Sequence, residues 1–152
     1  MDLDRTESIP ALPPRPKDSH KGMFGSVLLI AGSRGMAGAA ALGGISALRS
    51  GAGLVKIASP AEVQPTVAGF DPCYMTYPLA NDEDGRIDFE RARPAIERLV
   101  QDCTVIAVGP GLGQSASTRS LVRFLVESTD RPLVIDADGL NALVGQTEIL
   151  ST

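Results

Sequence analysis

From residue 26 onward the chain alternates between short, wholly apolar runs and longer stretches whose apolar residues recur at helical spacing. Residues 26–31 read Ser-Val-Leu-Leu-Ile-Ala and stop at Gly32, the pattern of a strand covered on both faces. Residues 37–50 predict a helix with Ala41, Ile45 and Leu48 on one face, closed by Gly51 in the left-handed conformation. Residues 54–58 form the next strand, and 74–78 read as a weaker edge strand. Residues 81–85 are a polar turn, and 89–99 a helix with Ile96 and Leu99 inward. Residues 105–108 are another buried strand, halted by Gly109-Pro110-Gly111. Residues 115–128 form a helix with Leu121, Val122, Leu125 and Val126 on its core stripe, and 132–136 a final strand ending in an acid. This alternation predicts an α/β domain: a mostly parallel sheet flanked by helices, joined by right-handed crossovers.

Upstream, Pro10, Pro13, Pro14 and Pro16 make residues 1–19 an extended leader, leaving 20–152 as the α/β unit. With 152 residues there is length for one domain with a real core. Hydrophobic residues at 43% and charged residues at 21% are globular proportions. A net charge of −4 leaves no basic footprint for nucleic acid, and no stretch is long and apolar enough for a membrane helix. Cys73 and Cys103, far apart, suit a reducing cytoplasm better than a disulfide or zinc framework, and the lone His20 cannot build a histidine metal cluster. Because the global field repels anions, an anionic ligand would need local backbone N–H groups, which directs attention to the 16 glycines.

Three strands end in unusual text: residues 32–38 (Gly-Ser-Arg-Gly-Met-Ala-Gly), 109–113 (Gly-Pro-Gly-Leu-Gly) and 136–141 (Asp-Ala-Asp-Gly-Leu-Asn). In parallel sheets ligands bind beyond the carboxyl ends of the strands, so all three are expected at one edge. The first loop enters a helix N-terminus, where free N–H groups favour anions, although a tight structural turn would read the same. It is no Walker A loop, since Ala39-Ala40 stand where Lys-Ser/Thr is required. The second is not a dinucleotide fingerprint, because Gln114 replaces the last glycine. Gly109, Gly111 and Gly113 either bring backbone close to a ligand or simply make a turn. Asp136 suits polar contact with a ligand or a magnesium ion, and Asn141 offers both donor and acceptor. Asp138 reads as a cap of the next short helix, and His20 and the acidic turn Asp82-Glu83-Asp84 as solvated surface. On this reading a valine at Gly111 would block ligand and leave the fold largely intact, at a strain cost of roughly 1–3 kcal/mol where φ is positive, whereas Gly85 lies away from the cleft.

Five blocks in register carry a family resemblance. They are Lys21-Gly22-x-Phe24-Gly25, Val-Leu-Leu-Ile-Ala-Gly-Ser33 with Gly38-Ala-Ala40, Ala47-Leu-Arg-Ser-Gly-Ala-Gly53, Val108-Gly-Pro-Gly-Leu-Gly113, and Val134-Ile-Asp-Ala-Asp-Gly-Leu-Asn-Ala-Leu143. Residues 20–145 thereby resemble the opening of the ADP-dependent NAD(P)H-hydrate dehydratases, enzymes of ribokinase-like fold that repair hydrated nicotinamide nucleotides. The resemblance implies ADP, or ATP in some members, as phosphoryl donor with Mg2+, and NADHX or NADPHX as substrate. The implied chemistry is phosphorylation of the added hydroxyl followed by elimination of phosphate. It implies that Ala39 and Gly111 contact the hydrated dinucleotide, with Gly109, Asp136 and Asn141 lining the same cleft. It further implies a cytoplasmic protein that assembles as a tetramer.

Family members are roughly twice this length, a size one α/β domain reaches. Their second half carries a Pro-His-Pro-Gly-Glu segment, a nucleotide-binding Lys-Gly segment and a Gly-Thr-Gly-Asp loop whose aspartate is the catalytic base. None stands in residues 1–152. The expectation is therefore a base beyond Thr152 and no catalytic residue within this chain. The leader is also too short for the epimerase domain fused ahead of many bacterial relatives, so a stand-alone dehydratase is expected. The rival readings are a ribokinase-like small-molecule kinase of the hydroxymethylpyrimidine or hydroxyethylthiazole type, and an inactive dinucleotide-binding module. Residues 1–152 assayed alone should show no ADP-dependent recovery of reduced-nicotinamide absorbance; robust turnover would refute the expectation of an external base.

Overall fold

Strand β1 (Ser26–Ile30) projects Leu28 and Ile30 to one side and Leu29 to the other, and all three are buried. A strand with both faces covered must lie inside a sheet, and β1 does. In the computed structural model, which describes residues 13–151, the sheet has five parallel strands in the order β3-β2-β1-β4-β5. The others are β2 (Leu54–Pro60), β3 (Met75–Leu79), β4 (Val105–Val108) and β5 (Leu133–Ile135). Ile30 pairs with Ala58 on one side and Val108 on the other. The weak strand is at an edge as expected, which is where Pro78 is tolerated in a ladder.

Helices cover both faces. On one, α1 (Ala37–Arg49) and α2 (Gln64–Ala68) bury Ala40 and Val67 against Leu29, Val55 and Ile57. On the other, α3 (Phe89–Gln101) and α4 (Ala116–Ser128) bury Ile96, Leu99, Leu121 and Leu125 against Leu28, Ile30, Ile106 and Val108. Phe89 and Phe124 join these two helices, their ring centroids 5.3 Å apart. Ser115 starts α4 by accepting the Thr118 N–H at 2.9 Å, and Asp88 starts α3 by accepting that of Arg91 at 3.3 Å. Gly51, at φ 107°, closes α1 with an N–H bond to the Leu48 carbonyl. The short helix α5 (Asp138–Asn141) follows β5.

The structure departs from the sequence reading in four places. Strand β2 runs to Pro60, because Ser59 and Pro60 stay in register with Pro78 and Leu79. A Ser-Pro pair reads as a loop; burial keeps it a strand. Helix α2 has only five residues around Pro65, too few for a hydrophobic period. Two 3-10 turns, Lys21–Phe24 and Thr147–Ser151, also escaped the pattern.

Residues 1–12 of the expected leader lie outside the described residues. Residues 13–19 form no helix or strand, and Arg15 ties them down. Its guanidinium lies 3.9 Å from the centroid of the Phe24 ring and donates to the Gly51 carbonyl at 2.7 Å. Both cysteines are free thiols, Cys73 exposed and Cys103 buried.

Ile106, fully buried mid-sheet on β4, is the test of this core. Ile106→Ala should lower unfolding stability by roughly 2–5 kcal/mol in a denaturant titration, because the sheet centre has little room to collapse around the lost atoms.

Candidate functional site

Since all five strands are parallel, their carboxyl ends share one edge, and the loops after β1, β4 and β5 meet there. Hydrogen bonds join them directly. The Gly32 N–H donates to the Pro110 carbonyl at 2.9 Å, and the Gly109 N–H to that of Ile30 at 3.2 Å. The Ser33 hydroxyl, only 5% exposed, donates to the Gly111 carbonyl at 2.7 Å. The Asp136 N–H donates to the Val108 carbonyl at 3.1 Å, and the Gly113 N–H to the Asp138 carboxylate at 2.9 Å.

Gly109 and Gly111 are both required by packing. At Gly109 (φ 132°) a Cβ would fall 1.8 Å from the Asp136 carbonyl oxygen. At Gly111 (φ 66°) it would fall 2.9 Å from the Met36 Cβ and 3.0 Å from the Ala39 Cβ. No real side chain occupies such positions, whatever its chemistry. Ala39 and Gly111, paired by resemblance, are therefore packed together, with α1 resting on the glycine loop. Gly109 and Gly111 are buried, Ala39 is half-buried, and Asp136 and Asn141 are exposed at the rim after β5. His20 is exposed, as expected.

Three expectations need correction. Asp138 does not cap α5: Ala137 holds that position at φ 46°, a left-handed strain in a non-glycine residue. Asp138 is the first helical residue, and its carboxylate reaches across to Gly113 and Gln114. The acidic turn is not merely solvated. Asp82 accepts the Arg86 N–H at 2.8 Å and pairs with its guanidinium, which also pairs with Asp84 and donates to the Gln114 carbonyl at 3.2 Å. Gly85 is not remote from the cleft, because its carbonyl accepts the Arg34 N–H at 3.0 Å.

Charges around the edge are mostly paired. Arg34 forks onto Glu62 with two bonds of 2.7 Å, which hold the Glu62 carboxyl below its usual range. A cleft of about 400 Å³ between the β1–α1 loop and α2 is lined by Arg34, Gly35, Ala37, Gly38, Glu62, Val63 and Thr66. No side chain caps α1 at Met36, and although the Ala39 N–H donates to the Met36 carbonyl at 3.2 Å, the Ala37 and Gly38 N–H groups bordering this cleft keep their anion-binding character. A groove of similar size, about 380 Å³, lies beside Arg93 and Phe124 between α3 and α4, away from the loops. Asp138 also sits below the usual carboxylate range: the Gln114 amide lowers it most, burial works the other way, and the Gly113 N–H and Asn141 lower it further. Among the described residues no three or more His, Cys, Asp or Glu side chains are placed to hold a metal ion together, so the lone exposed Asp136 does not by itself make a magnesium site. Ser33, Gln114 and Arg86 were invisible as site residues, because nothing in a sequence shows a serine or glutamine bonding across to a neighbouring loop.

A family model described as NAD(P)H-hydrate dehydratase (Carb_kinase) matches residues 27–151. The bifunctional NAD(P)H-hydrate repair enzyme Nnr of Salinibacter ruber is 40% identical over 139 residues, 91% of this chain and 26% of that protein. The ATP-dependent (S)-NAD(P)H-hydrate dehydratase of Rattus norvegicus is 35% identical over 87% of this chain and 36% of its own length. Among solved structures, the ADP/ATP-dependent NAD(P)H-hydrate dehydratase of Bacillus subtilis, co-crystallised with ATP and Mg2+, superposes with a TM-score of 0.64 at 33% identity, covering 85% of this chain and 43% of that one. A ribokinase-like superfamily protein of Enterococcus faecalis gives 0.73 at 26% identity, covering 87% and 43%. The chain thus spans about a quarter to two-fifths of the length of these proteins.

Two outcomes follow from the geometry. Gly109→Ala should destabilise the domain by roughly 3 kcal/mol or more, and Gly111→Val by roughly 1–3 kcal/mol from backbone strain alone, both read as loss of thermal midpoint. The cost at Gly111 is the one expected from the sequence, and the contacts with Met36 and Ala39 give it a cause. A carboxyl whose folded pKa is depressed contributes stability that is complete above its unfolded pKa and lost as pH falls through the folded value. Asp138 should therefore contribute at neutral pH and cease to contribute well below about pH 4. Asp138→Asn should flatten that acid limb of the stability curve, and an unchanged limb would contradict the assignment.

Proposed function

The chain belongs to the NAD(P)H-hydrate dehydratase family, and on that premise we propose that the protein it forms part of dehydrates NADHX and NADPHX with ADP or ATP as phosphoryl donor. The observation that carries the reading is the knitting of the loops after β1, β4 and β5 into one edge, with Ala39 packed on Gly111. The edge offers closely packed backbone and mostly paired charge, the surface wanted by a ligand that must be oriented without side-chain chemistry from this half of the site. On this reading Ala39, Gly109 and Gly111 shape the floor, and Asp136 and Asn141 supply polar contacts at the rim. The Ala37 and Gly38 N–H groups at the start of α1 meet negative charge on the dinucleotide.

The chemistry asks little covalent participation of these residues. Hydroxide leaves poorly and phosphate leaves well, so transfer of a phosphoryl group to the added hydroxyl makes elimination feasible. Binding and orientation are the share of the work assigned to this chain, and the base is assigned to no residue within it. Magnesium, where bound with the nucleotide, would neutralise phosphate charge. The residues described here do not form its site, and none is given a role in holding it. A cytoplasmic homotetramer is proposed on family resemblance alone, with light scattering of the complete protein as its test. No helix among the described residues is long and apolar enough to cross a membrane.

The complete protein, given NADPHX and ADP or ATP, should restore the reduced-nicotinamide absorbance. Nucleotide consumption without that recovery would support instead a kinase that stops after phosphoryl transfer, and no consumption a binding module. Within an active protein, Asp136→Ala and Asn141→Ala should each raise KM for NADPHX about tenfold, the size expected for one buried polar contact. Both side chains are exposed in the free protein, so the thermal midpoint should move little, Asn141 losing only its bond to the Asp138 carboxylate. An unchanged KM would remove these residues from the site.

A further inference from the structure

The β4–α4 loop has glycine at 109, 111 and 113, all three at positive φ. Left to itself such a loop samples many conformations, and a ligand that needs one of them binds more weakly in proportion. Backbone bonds with Gly32 and Ile30 hold its start, and three side chains restrain the rest. Ser33 holds the Gly111 carbonyl, and Arg86 holds that of Gln114. The third is Asp138, on the far wall. One carboxylate oxygen accepts the Gly113 N–H at 2.9 Å, and the other accepts the Gln114 side-chain amide at 3.0 Å. The same amide donates to the Asp138 backbone carbonyl at 3.0 Å, closing the clamp.

We propose that Asp138 is a positioning residue that, with Gln114, sets the glycine loop in its ligand-ready conformation and joins it to the Asp136–Asn141 rim. It does not touch the reacting atoms. A carboxylate engaged by two donors on its neighbour loop has little basicity to offer, and these bonds are charge-assisted and short enough to be strong. Helix capping does not account for it, because the carboxylate is directed at another loop and α5 has only four residues. The clamp also gives the strain at Ala137 a purpose: the φ of 46° just before Asp138 is where the chain turns into α5.

What the loop binds rests on the dehydratase reading; that the clamp orders the loop does not. The test uses the complete protein with Asp138→Ala, Asp138→Asn and Gln114→Ala. Amide exchange in the segment containing Gly111 and Gly113 should accelerate about tenfold or more in Asp138→Ala, matching the loss of a charge-assisted bond. Protection in β1 and β4 should be retained. KM for NADPHX should rise by a similar factor with KM for the nucleotide donor unchanged. Asp138→Asn, which keeps one acceptor for Gly113, should recover much of both, and Gln114→Ala should show a smaller version of the same pattern. Acceleration spread evenly over the domain, or a loosened loop with unchanged KM for NADPHX, would overturn the proposal. If the unsubstituted protein fails to turn over NADPHX, the dehydratase reading falls, and exchange at Gly113 alone then decides the clamp.

Discussion

The pairing of β1 with β4 fixes where everything else at the ligand edge must be. Leu28 and Ile30 face one layer of helices and Leu29 the other, so the strand is stable only with neighbours on both sides and helices above and below. Parallel neighbours require crossover helices, and crossovers deliver every loop after a strand to one edge. The Gly109 N–H bond to Ile30 and the Gly32 N–H bond to Pro110 extend this pairing beyond the strands. The proposed ligand edge is thus a continuation of the sheet's hydrogen bonding rather than a set of loops laid over it.

The same constraint turns the glycines into a matter of space. Gly109 lies against the Asp136 carbonyl and Gly111 against α1, so neither was free to be anything larger. The structural and ligand-binding readings of the loop, alternatives in the sequence, are compatible here: backbone packed this closely is also backbone held still. A rigid edge with few free charges suits the proposed binding of a dinucleotide in one pose.

The strands and long helices were legible because burial on both faces leaves a continuous apolar run and burial on one face leaves a helical stripe. Residues 105–108 and the inward side chains Ile96, Leu121 and Leu125 show both signals. The gathering of the loops at one edge was legible for the same reason. What was hidden depends on contacts between segments far apart in sequence. Asp138 carries the composition of a cap, yet its partners are Gly113 and Gln114. Asp82 carries the composition of a surface turn, yet Arg86 links it to the carbonyl of Gln114. Helix α2 was missed because five residues carry no period.

The central claim is that the edge formed by these three loops receives the hydrated dinucleotide. Titration of NADPHX into the isotope-labelled complete protein, followed by backbone amide shifts, tests it most directly. The account predicts perturbations at Ser33, Ala39, Gly109, Gly111, Asp136 and Asn141. Perturbations confined to the groove between α3 and α4, around Arg93 and Phe124, would contradict it.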